Sequence, residues 1–198
     1  MTKIKICGIR RLIDIEYINE LKPDYIGFVF AKSKRQVDKE HAFNLIKNLR
    51  SDIKTVGVFV DEDPSTVIDI AEKLKLQVLQ FHGHENQEYI NRFKGFEIWK
   101  ALKINSLQSI SEISNYTCNR FLLDNSTSGS GKSFKWDLVE KNIEDSSIML
   151  AGGLTSKNVQ QGIMQLKPYG VDVSSGVETQ GFKDFALMKE FIKKVRGL

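Results

Sequence analysis

The chain has 198 residues, of which 41% are hydrophobic and 27% are charged, and its formal net charge at pH 7 is +4. This length suits one domain, 1–198, with a single core. The basic residues are scattered and no apolar run approaches the roughly 20 residues of a membrane span, so we expect neither a nucleic-acid nor a membrane partner. The small positive excess favours an anionic small molecule instead.

The chain contains two cysteines, Cys7 and Cys118. Cys7 ends one predicted strand and Cys118 precedes another, so the two thiols should lie at opposite ends of a barrel and form no disulfide. The N-terminus enters a strand without the apolar stretch of a signal peptide. Together these features predict a reduced, cytoplasmic protein.

Eight short runs of β-branched or aromatic residues are typical of buried parallel strands. In chain order they are Lys3 to Cys7, Tyr25 to Phe30, Lys54 to Val60, Gln77 to Phe81, Glu97 to Leu102, Arg120 to Asp124, Ser147 to Ala151 and Gly170 to Val173.

Patterns with the 3.6-residue period of a helix lie between these runs. They are Leu12 to Leu21, Lys39 to Leu49, Pro64 to Leu74, Gln87 to Phe93, Ser156 to Leu166 and Lys183 to Val195, with weaker patterns at 106–115 and 137–142. Asp63 before Pro64 predicts a helix start, and Ser156 is a candidate N-cap. Strands that alternate with helices predict an α/β protein, a closed (β/α)8 TIM barrel, with a doubly wound open sheet as the alternative.

Parallel barrels carry their reactive side chains at the carboxyl ends of the strands. Cys7, directly before Gly8, holds such a position, and so does Asp124. Two later strand ends offer backbone amides that suit a phosphate, at Gly152, Gly153, Ser174, Ser175 and Gly176. A thiol, a carboxyl group and a phosphate cradle together predict an enzyme that acts on a phosphorylated small molecule. The alternative is that the thiol is inert, the carboxyl group caps a loop and the glycines relieve crowding.

Two further motifs are weaker. His82 and His84 flank Gly83 but have no third ligand at a suitable spacing, so we expect no metal; His82 should line the pocket and His84 should face solvent. Residues 128–133 resemble the end of a nucleotide-binding phosphate loop, but Ser126 stands where that motif needs glycine. A nucleotide hydrolase is therefore not favoured.

Several short motifs in a fixed order give the chain its resemblance to a known family. They are KICGI at 5–9, GFVF at 27–30, SKR at 33–35, VGVFV at 56–60, LQFHG at 79–83, LLD at 122–124, AGGL at 151–154 and DVSSGVE at 172–178. Over its whole length the chain resembles phosphoribosylanthranilate isomerase, an enzyme family of tryptophan synthesis. The resemblance implies an Amadori rearrangement of N-(5-phosphoribosyl)anthranilate to the 1-deoxyribulose ketose, without a metal or organic cofactor.

The resemblance also implies roles for the strand-end residues. Cys7 corresponds to the family's general base, Asp124 to its general acid, and Arg35 to the arginine that holds the anthranilate carboxylate. The remaining substrate contacts, including those to phosphate, fall to His82, Gly152, Gly153, Asp172, Ser174, Ser175 and Gly176. Ring opening needs a protonated Asp124, and proton abstraction needs Cys7 as a thiolate. Cys7 can supply this thiolate if nearby cationic or donor groups draw its pKa below the reference value of about 8.5.

The chain departs from the family pattern mainly in the loop after the sixth strand, at Asn125, Ser128, Ser130 and Lys135, and also at Lys34. Two other hypotheses remain open. One is the analogous aminoimidazole-carboxamide ribotide isomerase of histidine synthesis, which the thiol at position 7 argues against. The other is a non-catalytic barrel that binds a phosphorylated ligand. Either a monomer or a homodimer is compatible with the sequence.

Overall fold

The structure is a computed structural model that describes residues 1–104, 106–125 and 147–197. The predicted helix at 137–142 and the atypical loop positions Ser128, Ser130 and Lys135 lie outside the described residues.

Eight parallel strands close into a barrel, each paired with its neighbours in chain order and β8 paired with β1. Their bounds are β1 Lys3–Cys7, β2 Tyr25–Val29, β3 Lys54–Phe59, β4 Val78–Phe81, β5 Glu97–Ile104, β6 Arg120–Asn125, β7 Ile148–Leu150 and β8 Gly170–Val173. The predicted TIM barrel is confirmed. The open sheet is excluded, because β1 and β8 share a register from Lys3 opposite Gly170 to Ile6 opposite Val173.

The helices of the described residues pack outside the barrel. Their bounds are Leu12–Leu21, Lys39–Ile46, Pro64–Leu74, Gln87–Ile90, Leu107–Ser111, Val159–Leu166 and Phe185–Arg196, with 3-10 turns at Glu112–Asn115 and Ser175–Val177. The predicted start at Pro64 is confirmed, since the Asp63 carboxylate accepts a hydrogen bond from the Ser65 N–H at 2.8 Å.

Four predicted helix boundaries are wrong. The helix that starts at Lys39 ends at Ile46 rather than at Leu49. The helix that starts at Gln87 ends at Ile90, and the predicted cap Ser156 lies in a turn closed by Asn158, whose side chain accepts the Thr155 N–H at 2.8 Å. Lys183 does not begin the last helix. It pairs with Glu178 in a short hairpin of β9 (Glu178–Thr179) and β10 (Phe182–Lys183), and Asp184 caps the helix instead. This hairpin brings two charged side chains to the mouth of the barrel.

The barrel interior changes from apolar to polar along its axis. Its apolar part consists of Tyr25, Val56, Val78, Trp99, Ala101, Leu122, Met149 and Ala151, whereas a larger apolar layer lies between strands and helices. Lys5, Gln80 and Asp172 are also buried, at 0%, 1% and 9% exposure. Because alternate residues of a strand share a face, Lys5 points to the same interior as Cys7, and Gln80 to the same interior as His82.

Both cysteines are free, as predicted, with Cys7 buried and Cys118 partly exposed. No helix in the described part of the chain is long and apolar enough to cross a membrane.

A buried ion pair links β5 to the loop after β4, and its carboxylate also holds the loop after β3. Lys100 of β5 and Glu85 are each 1% exposed, and Nζ lies 3.0 Å from Oε2. The Glu85 oxygens accept the N–H groups of Asp61 and Gly83 at 2.9 Å, and Lys100 donates to the carbonyl of Gly83 at 2.7 Å. The pair therefore fixes the turn that follows His82.

We expect Lys100→Met to lower the free energy of unfolding by about 3–5 kcal/mol, because it leaves the Glu85 carboxylate buried without its ammonium partner. Urea unfolding followed by circular dichroism measures this value. A loss below about 1 kcal/mol would show that the pair contributes little to stability.

Candidate active site

One cavity opens at the carboxyl ends of the strands, and every residue that the sequence singles out for the site lines it. These residues are Cys7, Arg35, His82, Asp124, Gly152, Gly153, Asp172, Ser174, Ser175 and Gly176.

Cys7 ends β1 directly opposite Gly27 of β2. A Cβ atom at Gly27 would lie 2.9 Å from the Cys7 sulfur and 3.2 Å from Nζ of Lys5. The thiol and the ammonium group therefore both border the space that any larger residue at position 27 would fill. Ser174 Oγ donates to the carbonyl of Cys7 at 3.0 Å and ties the end of β1 to the end of β8.

Burial raises the pKa of the Cys7 thiol, and the carboxylate of Asp172 acts in the same direction. The ammonium groups of Lys5 and Lys183 lower it but do not outweigh burial, so the net shift is upward. The pKa of the thiol therefore does not fall below its reference value of about 8.5, although cationic neighbours that lower it are present.

Arg35 makes a bidentate ion pair with Glu178, with Nε 2.7 Å from Oε1 and Nη2 2.6 Å from Oε2. Lys183 donates to the same carboxylate at 2.7 Å. Burial favours the neutral form of Glu178, but Arg35 and Lys183 outweigh it and lower its pKa. The guanidinium at the cavity wall is thus oriented by Glu178, a residue that sequence reasoning did not single out.

Asp124, at the end of β6, faces His82 of the loop after β4, with Oδ2 3.3 Å from Nε2. The amide nitrogen of Gln80 lies 3.2 Å from Nδ1 of the same ring. His84 faces solvent as predicted, with its side chain 96% exposed.

The ends of β7 and β8 carry glycines that the backbone requires. Gly152 and Gly153 have φ of 78° and 68°, in the left-handed region that favours glycine. A Cβ at Gly176 would overlap the carbonyl oxygen of Leu154. These strand ends therefore present backbone rather than side chains to the cavity, as an anion site at this end of a barrel requires.

Within residues 1–104, 106–125 and 147–197, no group of three or more His, Cys, Asp or Glu side chains could hold a metal ion.

A closed parallel barrel whose cavity, at the carboxyl ends of the strands, is lined by a thiol and a carboxyl group has the architecture of a TIM-barrel enzyme. Comparison with known families identifies its relatives. Residues 4–194 match the family described as N-(5'phosphoribosyl)anthranilate (PRA) isomerase, and the chain belongs to that family.

Similarity to individual proteins of known name supports this assignment. An N-(5'-phosphoribosyl)anthranilate isomerase of Thermoanaerobacter sp. is 52% identical, with 100% of each chain covered. The crystal structure of phosphoribosyl anthranilate isomerase from Thermotoga maritima is 36% identical, with a TM-score of 0.91 and 100% of each chain covered. Another isomerase structure, in complex with reduced 1-(o-carboxyphenylamino)-1-deoxyribulose 5-phosphate, is 34% identical, with a TM-score of 0.88 and the same coverage. The resemblance to phosphoribosylanthranilate isomerase is therefore confirmed, in preference to the histidine-synthesis isomerase and the non-catalytic barrel.

Proposed function

We propose that the chain converts N-(5'-phosphoribosyl)anthranilate to 1-(2-carboxyphenylamino)-1-deoxyribulose 5-phosphate, with Cys7 as general base and Asp124 as general acid. The observation that carries the proposal is that these two side chains face one cavity from β1 and β6. Family membership supports the choice of reaction.

The reaction divides between the two groups. Asp124 protonates the ring oxygen of the furanose, the C1'–O bond breaks, and the nitrogen lone pair forms a C=N bond. The Cys7 thiolate then removes the proton from C2', and the electron pair moves to give an enolamine. Protonation at C1' and loss of the hydroxyl proton at C2' produce the ketose, so the substrate gains and loses no atoms overall.

The two anionic groups of the substrate are assigned to different parts of the cavity. The free edge of the Arg35 guanidinium holds the anthranilate carboxylate, while Glu178 fixes the edge that carries Nε and Nη2. The backbone at the ends of β7 and β8 binds the phosphate, with contacts from Gly152, Gly153, Ser174, Ser175 and Gly176.

Gln80 supplies a further substrate contact in this proposal. It is 1% exposed, it lines the cavity, and its Oε1 has no hydrogen-bond partner among the described residues. A buried acceptor without a partner is costly, so we assign this oxygen to a substrate hydroxyl group. The contacts of His82 and Asp172 with substrate remain predictions, supported by their place in the cavity wall.

Arg35→Lys is expected to raise KM about tenfold or more and to change kcat little, because the charge remains while the planar fork is lost. Arg50→Lys is a matched control, since Arg50 makes the same bidentate contact with Asp52 on the surface. Steady-state kinetics separate the two parameters. A large loss of kcat with unchanged KM would show that Arg35 acts in the transition state instead.

Complementation of a bacterial strain that lacks phosphoribosylanthranilate isomerase tests the function in the cell. We expect growth without tryptophan when the chain is expressed, and none with an empty vector. A strain that produces the folded chain and still needs tryptophan would contradict the proposal.

The remaining proposals concern the whole molecule. The pairing of β1 with β8 joins the first and last strands of the barrel and supports a single domain across 1–198.

Free thiols at Cys7 and Cys118 support a cytoplasmic location. For the assembly we propose a monomer or a homodimer, since the isomerase of Thermotoga maritima is described as dimeric and was solved as monomers. Light scattering should give the mass of one or two 22.6 kDa chains.

A further inference from the structure

Lys5 is a fully buried lysine that the reaction described above does not use. It lies on β1 two residues before Cys7, its side chain is 0% exposed, and its Nζ is 2.9 Å from Oδ1 of Asp172. A buried ammonium group is costly even when it is paired, and one carboxylate satisfies only part of its three-donor capacity. Its position therefore calls for a second anionic partner.

The geometry supplies that partner. Lys5 Nζ and Cys7 Sγ approach the same point beside Gly27, at 3.2 Å and 2.9 Å from where a Cβ would stand. Gly27 lies opposite Cys7 in the register of β1 and β2, and the absence of a side chain there leaves both groups beside the same open space. We propose that Lys5 is a positioning residue that stabilises the Cys7 thiolate, with Asp172 and Gly27 holding it against the sulfur.

The charge state of Lys5 fits a counterion rather than a base. Burial lowers its pKa, but the carboxylate of Asp172, together with Cys7 in its thiolate form, outweighs burial and raises it, so Lys5 keeps its proton when it faces the thiolate. When Cys7 takes a proton from substrate, Lys5 therefore neither gives nor receives one. This role rests on the proposed function only in that Cys7 is the base.

Other charged groups also act on the sulfur. Asp172 of β8 opposes the thiolate, whereas Lys183 of the hairpin favours it, and Arg35 after β2 interacts with it as well. Lys183 and Arg35 share the carboxylate of Glu178, and Lys5 is the strongest of the cations that favour the thiolate. Removing the ammonium of Lys5 should therefore have a clear effect on the ionisation of Cys7.

Alkylation of the purified full chain with iodoacetamide, without substrate, tests the proposal. The rate at Cys7 is followed across a pH series by mass spectrometry of its peptide, which separates it from Cys118. We expect Lys5→Met to move the midpoint upward by about one pH unit or more, equivalent to roughly tenfold slower alkylation at a fixed pH below it.

Two variants separate this effect from a loss of stability. Lys100→Met removes another fully buried lysine, paired with Glu85 on the other side of the barrel, and should leave the Cys7 midpoint unchanged. The double variant Lys5→Met/Asp172→Asn leaves no unpaired charge and should still show an upward shift. A wild-type midpoint in Lys5→Met and in the double variant would overturn the proposal. Because the readout needs no substrate, it is independent of whether the isomerase activity is found.

Discussion

The Cys7→Ala variant is expected to lose isomerase activity, with kcat/KM at least about 10²–10⁴-fold below wild type. The cavity offers a thiol at the end of β1, and alanine keeps the small apolar volume while removing the base. Affinity for the ketose product should be nearly unchanged, because the proposed phosphate and carboxylate contacts lie elsewhere. Steady-state kinetics and a fluorescence titration with product measure the two effects.

Cys118→Ala is the matched control, since Cys118 precedes β6 at the opposite end of the barrel and does not line the cavity. It should leave kcat/KM unchanged. If Cys7→Ala kept more than about a tenth of the wild-type kcat/KM, another group would have to be the base.

Asp124→Asn is expected to lower kcat by about two orders of magnitude or more, because asparagine keeps the volume but delivers no proton. Product affinity should again survive. Because this variant has no acid left to ionise at position 124, its residual kcat/KM should rise with pH as the Cys7 thiol, whose pKa is raised, ionises.

Asp61→Asn is a suitable control, because Asp61 contacts His84 outside the cavity. Near-normal kcat in Asp124→Asn would mean that another group protonates the ring oxygen. His82 would then be the first residue to test, since its Nε2 lies 3.3 Å from Asp124.

Most of the barrel could be predicted because its strands are buried on both faces and therefore read as continuous apolar runs. The ends of the helices were harder to predict. Gln87 to Phe93 has a helical pattern, yet the chain turns after Ile90. Lys183 was predicted in the last helix, although Asp184, a good N-cap residue, marks the true start.

The site could be predicted where it depends on strand ends, as for Cys7 and Asp124. Lys5 and Gln80 were missed because each stands inside an apolar run, although each lies two residues before a predicted site residue and so shares its face. Glu178 and Lys183 lie in a hairpin whose two strands have two residues each, too few to show the alternating pattern of a strand in the sequence. The direction of the Cys7 pKa shift depends on whether burial, which raises the pKa, outweighs the nearby ammonium groups, which lower it. The sequence does not show how deeply the thiol is buried or how close these groups lie.

The measurement that tests the assignment most directly follows the fluorescence of the anthranilate group when N-(5'-phosphoribosyl)anthranilate is mixed with the purified chain. Opening the ring and forming the ketose should change this fluorescence at a rate proportional to enzyme concentration, with the ketose phosphate as the product. The Cys7→Ala variant should show no such change above background. An absence of change with wild-type protein at micromolar concentration would contradict the assigned reaction.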